Sequence, residues 1–202
     1  GKLIFYSAEL SRVAAERCTK AREAVELIGH LIETYGYYGT GETLPIADTQ
    51  EGWVMEMAPS PEGKGGLWVA KRIPDGEVFV AANEFRIREV DTKDPDMLYC
   101  KDLHSIAQKH GWWDPREGKL DWLKTVSEGE YSHPYYSLRR VWRLQSRLAP
   151  SKKLSPWVEN GFTREYPFSI KPDKKLDIRD VMALYRDYYQ DTEFDLSKGL
   201  TA

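Results

Sequence analysis

The stretch "SAELSRVAAERCTKAREAVELIGHLIETYG" constrains the fold of this chain more than any other. Ala21, Ala24, Val25, Ile28, Leu31 and Ile32 recur at helical spacing, so one stripe of the segment must be buried against something. Ser7 can cap the start, and Gly36 ends the run. Thr19 suits the cap of a second helix, which predicts two helices with a break near Cys18 and Thr19. The period then changes. "TLPIADTQEGWVMEMAP" reads as two short strands around Asp48-Thr49-Gln50, with Trp53, Met55 and Met57 on one face. "LWVAKRI" follows, then the turn Pro74-Asp75-Gly76. The stretch "PDGEVFVAANEFRIREV" comes next, as another antiparallel strand. Its residues Val78, Val80 and Ala82 oppose Phe79, Ala81, Phe85 and Ile87, so the sheet is expected to be covered on both sides.

Further along, a short helix is expected at Leu103–Lys109 and a longer one from about Tyr135 to Leu148. A last helix is expected after a cap at Asp177, with Ile178, Val181, Met182 and Tyr185 on its inner side. Helices, an antiparallel sheet and more helices make the chain α+β. The 202 residues, 41% of them hydrophobic, suit a single domain over 1–202. A chain of this size buries roughly 70% of its unfolded surface and needs no staple to fold.

The charge balance narrows the partners. The 29 Lys and Arg are matched by 32 Asp and Glu spread along the chain, so no basic stripe exists for nucleic acid. There is no apolar run near the length of a membrane span. Cys18 and Cys100 stand alone, outside any C-x-x-C, which excludes a disulfide framework and disfavours cysteine-bound zinc. His104 and His110, six residues apart, fall on different helix faces. "GYYGTGETL" and "GKGG" fit neither G-x-G-x-x-G nor a phosphate-binding loop and read as turns. Cys18, beside Lys20 and Arg22, is either an activated thiol or a small packing residue, and free Cys favours the second.

Asn83 is the more informative residue, because it interrupts the apolar face of Phe79, Ala81, Phe85 and Ile87. A buried amide must be hydrogen-bonded or cost about 1–3 kcal/mol. It is either a structural tie to neighbouring backbone or a donor aimed at an oxyanion. The aromatic residues Trp112, Trp113, Trp122, Tyr131, Tyr135 and Tyr136 offer a second feature, readable as a partner surface or as ordinary packing.

Taken together, "AREAVELIGHLIETYGYYG", "LPIADTQEGWVMEM", "GGLWVAKRIPDGEVFVAANEFRI" and "YYSLRRVWRLQSRLAP" resemble the bacterial dipeptidase A family and, more distantly, the secernins. These are N-terminal-nucleophile hydrolases. The resemblance runs from about Ser11 to Leu200 and is most specific between 36 and 90 and in "RRVWR". It implies an αββα sandwich and hydrolysis of dipeptides by an amino-terminal cysteine whose own α-amine serves as base, with no cofactor. It also implies that Asn83 is an oxyanion-hole donor and that an active-site arginine lies in "SLRRVWR". Arg140 fits best, through its R-x-x-R spacing with Arg143, and Arg139 is the alternative. Arg86, on the opposite face by alternation, is not expected to act directly.

The sequence departs from the family at the nucleophile. The chain opens "GKLIFYSAEL", Gly1 has neither thiol nor hydroxyl, and Cys18 lies within helical sequence. The expectation is an internal portion of a longer dipeptidase, inert alone, whose substrate is a dipeptide or another small amide. Two alternatives stand beside it: a binding or scaffold protein of the same fold without chemistry, and an amidase of the same superfamily acting on a non-peptide amide.

Overall fold

The computed structural model describes residues 3–129 and 135–199. Its elements in chain order are α1 (Ser7–Arg17), α2 (Ala21–Tyr35), β1 (Glu42–Ala47), β2 (Gly52–Pro59), β3 (Gly66–Arg72), β4 (Val78–Phe79), β5 (Met97–Tyr99), α3 (Leu103–Lys109), α4 (Trp122–Val126), α5 (Leu138–Leu148), β6 (Ser169–Ile170) and α6 (Ile178–Tyr185), with two short 3-10 turns between them and a third after α6. Strands β1, β2, β3 and β5 form one antiparallel sheet in that order. The α+β class and the antiparallel sheet covered by helices are as the sequence indicates.

The two helices of the opening segment form where the spacing places them, and α2 buries Ala24, Val25, Ile28 and Ile32. Register places Met57 opposite Trp68 and Met55 opposite Ala70, so these side chains share the sheet face toward α2. The approach is close at Gly29. A Cβ there would sit 2.3 Å from the Trp68 ring, so only glycine lets the helix lie this near the sheet. Gly36 ends α2 at φ 84°, a conformation that disfavours side chains.

The caps differ from those read locally. Lys20, not Thr19, precedes α2, and the first helical N–H, that of Ala21, donates to Asp48 Oδ2 at 2.8 Å. Asp48 Oδ1 also accepts from Gln50 and Glu51 N–H, closing the β1–β2 turn. One carboxylate thus finishes both a turn and a helix, and these amides hold its pKa below the usual carboxylate range. Ser7 is the first residue of α1, and its hydroxyl donates to Glu42 Oε2 at 2.9 Å.

The segment after Gly76 departs most from expectation. It does not extend the main sheet. Only Val78 and Phe79 are strand, and they pair with β6 in a separate two-stranded sheet. The edge of β3 is taken by β5, with Val69 opposite Tyr99. Residues 80–90 run as irregular chain. The alternating apolar residues serve two cores instead of two sheet faces. Val80 is buried with Leu138, Val141 and Ile170, and Val78 and Ala82 pack there too. Ile87 and Val90 are buried with the sheet and α2, and Phe85 packs against that cluster.

Two further differences concern the later helices. Tyr135 to Ser137 form a turn, so α5 begins at Leu138. The cap of α6 is as expected, with Asp177 accepting from Arg179 and Asp180 N–H. Its apolar side chains are not on an inner face, however: Ile178, Val181, Met182 and Tyr185 are 72, 36, 44 and 89% exposed. The end of α6 is instead tied to α5 by polar contacts. Arg147 donates to the Ala183 carbonyl at 3.0 Å, and Asp187 pairs with Arg143 and Arg147. No described helix is long and apolar enough to cross a membrane.

Candidate active site

Asn83 lies in a bend of the irregular 80–90 segment, outside both sheets, and its side chain is exposed. The expectation of a buried amide within a strand is therefore wrong. The apolar residues around it turn to two separate cores, which leaves the bend between them at the surface. Its position is nonetheless set by a charged group. Arg140 Nη2 donates to Asn83 Oδ1 at 2.9 Å, across 57 residues of sequence. A guanidinium has donors only, so the contact fixes which end of the carboxamide faces it. The Nδ2 amide is turned away and makes no hydrogen bond among the described residues.

Arg140 is itself held in place. Its Nε donates to the Tyr136 carbonyl at 3.0 Å, and Nη2 also reaches Ser137 Oγ at 3.4 Å. The guanidinium carbon stands 4.7 Å from the Tyr136 ring centroid, within cation–π range. The helical spacing of "SLRRVWR" points its other arginines elsewhere. Arg139 stacks among Phe194, Tyr135 and Trp157, at 3.6, 4.4 and 4.8 Å from their ring centroids, and does not meet Asn83. Arg143 pairs with Asp187. Of the two candidates in this helix, Arg140 is the one that the fold joins to Asn83.

Asn83 borders a cleft of about 370 Å³, lined also by Thr40, Gly41, Glu42, Glu84 and Ser127. Gly41 permits the close approach of the start of β1 to this segment, since a Cβ there would lie 2.8 Å from the Phe85 ring. A separate cleft of about 330 Å³ holds Lys71, Arg86, Arg88, Asp91, Lys119 and Arg164. Its charges are engaged in ion pairs such as Arg88–Asp121, Lys119–Asp91 and Arg164–Glu89, and neither Asn83 nor Arg140 lines it.

The cysteines do not supply a nucleophile. Cys18 closes α1, half-buried, and burial followed by the charge of Glu23 raises its pKa. Cys100 is buried and its thiol is pushed up to about 12. An activated thiol needs the opposite shift. His104 makes edge-to-face contacts with Tyr99 and Trp113, whereas His110 Nε2 meets Glu62 at 2.8 Å. Among the described residues no group of three or more His, Cys, Asp or Glu side chains is placed to hold a metal. The described aromatic residues between 112 and 136 do not gather into one surface. Trp122 is fully buried in the first core, Trp113 packs edge-on against His104, and Tyr135 meets Trp157 edge-to-face. Tyr131 lies outside the described residues.

One group beside the site escaped the sequence reading. Glu56, in the middle of β2, is fully buried and accepts from the backbone N–H groups of Arg86, at 2.6 Å, and Ile87, at 3.2 Å. Burial pushes its carboxyl up to about 7 against the opposing pull of those two amides and the Arg86 charge. The signal was present. Glu56 interrupts the apolar pair Val54 and Ala58 as Asn83 interrupts its own apolar neighbours.

Comparison with known proteins gives a consistent answer. The sequence model of Peptidase family C69 matches residues 4–201. A probable dipeptidase of Salmonella dublin is 32% identical over 176 residues, which cover 87% of this chain and 38% of that protein. A probable dipeptidase of Latilactobacillus sakei is 30% identical over 175 residues, covering 87% and 35%. Dipeptidase A of Lactobacillus helveticus is 24% identical over 180 residues, again covering 87% and 35%. The chain thus spans little more than a third of the length of these curated relatives.

Proposed function

Because this chain belongs to Peptidase family C69, we propose that it is an internal portion of a dipeptidase that cleaves the amide bond of a dipeptide. The nucleophile is an amino-terminal cysteine outside this sequence, so the isolated chain is inert. The relatives of this family are named as dipeptidases, which supports the substrate class.

The observation that carries the reading is the Asn83–Arg140 hydrogen bond. In the proposed reaction the thiol sulfur bonds to the substrate carbonyl carbon and its proton passes to the cysteine's own α-amine. Negative charge gathers on the carbonyl oxygen. Asn83, with Oδ1 taken by Arg140, offers its Nδ2 hydrogens to that oxygen. An amide donor serves without a charge of its own to desolvate, and one such donor is worth about 3 kcal/mol in a transition state. The C–N bond then breaks, the leaving amine takes the proton, and water hydrolyses the thioester to release the acid and restore the thiol. Arg140 is the group that keeps the carboxamide from turning its oxygen toward the substrate, where it would repel the developing charge.

The test is to isolate the full-length protein, read its mature amino terminus by mass spectrometry and assay alanyl-alanine hydrolysis. A terminal cysteine, turnover, and loss of turnover when iodoacetamide labels that cysteine are the expected results. Any other terminal residue would remove the cysteine mechanism. Turnover of acylated non-peptide amines but not of dipeptides would place the protein among the amidases.

A further inference from the structure

We propose that Glu56 is a positioning residue for Asn83, acting through a buried polar chain that links the main sheet to the helix carrying Arg140. The inference rests on the dipeptidase reading above.

The chain of contacts begins inside β2. Glu56 is fully buried, and its Oε1 accepts from both Arg86 N–H and Ile87 N–H, while Oε2 also accepts from Ile87 N–H. These two amides belong to irregular backbone and have no strand partner, so the carboxyl supplies the acceptors that a ladder would otherwise give. The Arg86 side chain continues the chain outward. Nη1 donates to Glu84 Oε1 at 3.0 Å, and Nη2 donates to the Tyr166 carbonyl at 2.7 Å and the Pro167 carbonyl at 3.3 Å. The Pro167 carbonyl also accepts from Gln145 Nε2 at 2.8 Å. Gln145 is fully buried on α5, five residues beyond Arg140.

These contacts close a ring. One side is the backbone from Asn83 to Arg86, anchored on Glu56. The other is α5 from Arg140 to Gln145, anchored on Pro167. The ring closes at the 2.9 Å contact between Arg140 and Asn83. A carboxyl buried at this depth is costly even with two amides as partners. Its placement is explained when the same carboxyl fixes the segment that presents Asn83 and, through Arg86, the helix that holds it. A catalytic donor misplaced by about 1 Å loses on the order of 100-fold in rate, so the anchor acts on turnover without touching substrate.

The experiment compares Glu56→Ala, Glu56→Gln and Gln145→Met with wild type in the full-length protein, using alanyl-alanine as substrate. A glutamine keeps one oxygen, and Glu56 Oε1 alone already accepts from both amides. Glu56→Ala and Gln145→Met are expected to lower kcat about 100-fold while KM stays within about twofold. Glu56→Gln is expected to restore most of kcat. Amide hydrogen exchange at Arg86 and Ile87, measured on the same proteins, is expected to quicken about tenfold or more in Glu56→Ala and stay slow in Glu56→Gln. Fast exchange in the wild type, unchanged kcat in a folded Glu56→Ala, or a Glu56→Gln as impaired as Glu56→Ala would each overturn the proposal. If Glu56→Ala does not fold, Gln145→Met and Glu56→Gln decide it by the same criteria. A wild type that does not hydrolyse dipeptides would instead sink the dipeptidase reading, and the exchange data would still judge the anchor.

Discussion

The two hydrophobic clusters of this chain are held together in different ways. In the first, α2 lies on a regular sheet, and Trp53, Met55, Met57, Ile28 and Ile32 are buried with almost no surface left. Most backbone groups there are satisfied by helix and strand ladders. The second packs Leu138, Val141 and Trp142 of α5 with Tyr166 and Ile170, which come from irregular chain and one two-residue strand pair. Outside α5 and that strand pair, several of its backbone groups are satisfied by side chains. Arg86 and Arg88 donate to carbonyls between 162 and 167, Trp142 Nε1 to the Leu154 carbonyl and Tyr166 to the Ser155 carbonyl. Regular periodicity builds the first cluster and specific polar contacts build the second. Asn83 sits on the chain that passes from one to the other.

That contrast can be tested first where apolar burial dominates. Trp53→Ala in β2 is expected to cost about 3–5 kcal/mol in denaturant unfolding, since the side chain is fully buried and the sheet cannot collapse into the space. In the second cluster the matching weak point is an ion pair. The Asp187 side chain is only 4% exposed and meets both Arg143 and Arg147. Asp187→Ala should cost about 3 kcal/mol, because it leaves two guanidinium groups without their partner. A loss under about 1 kcal/mol would place this pair with ordinary surface ion pairs and erase the distinction.

Glu56 gives a test at the boundary. Its pKa is raised from 4.5 to about 7, so between those values the folded chain holds a proton that the unfolded chain has released. The stabilising contribution is complete below about pH 4.5 and disappears as pH rises through 7, a change of about 3 kcal/mol. Glu56→Gln should lack this slope, so the difference between its stability curve and that of the wild type isolates the group. A flat difference curve would mean that the amides of Arg86 and Ile87 fully offset burial, and a reversed slope that they outweigh it. The smallest effect is expected on α6. Tyr185→Ser, at a side chain 89% exposed, should change stability by less than about 0.5 kcal/mol. A large loss would mean that this apolar face is covered.

What the sequence revealed follows the same division. The helices of the opening segment, the β1–β2 hairpin, β3 and α3 are legible because each is stabilised by its own periodic face. The strand expected through Asn83 fails because period-2 alternation reports only that both sides are buried, not that one sheet buries them. Val80 and Ile87 satisfy the pattern in different cores. The outward face of α6 fails for a related reason: helical spacing of Ile178, Val181, Met182 and Tyr185 says that a stripe exists, but not what meets it. The cap of α2 was misplaced because Asp48 comes from 27 residues away. Asn83 and Arg140 are each singled out by family resemblance, but nothing local in either segment points to the other, and their hydrogen bond is visible only in the fold. Glu56 was within reach, since a carboxylate between Val54 and Ala58 on a buried strand is as conspicuous as the amide at 83.

The central claim is that the Asn83 carboxamide, oriented by Arg140, serves the reaction and not the fold. Its most direct test is the turnover and melting temperature of Asn83→Ala in the full-length protein. The account predicts that kcat for alanyl-alanine falls about 100-fold while the melting temperature moves by less than about 2 °C, since the side chain is exposed and its removal opens no cavity. Undiminished turnover, or a fall in melting temperature that accounts for the lost activity, would contradict it.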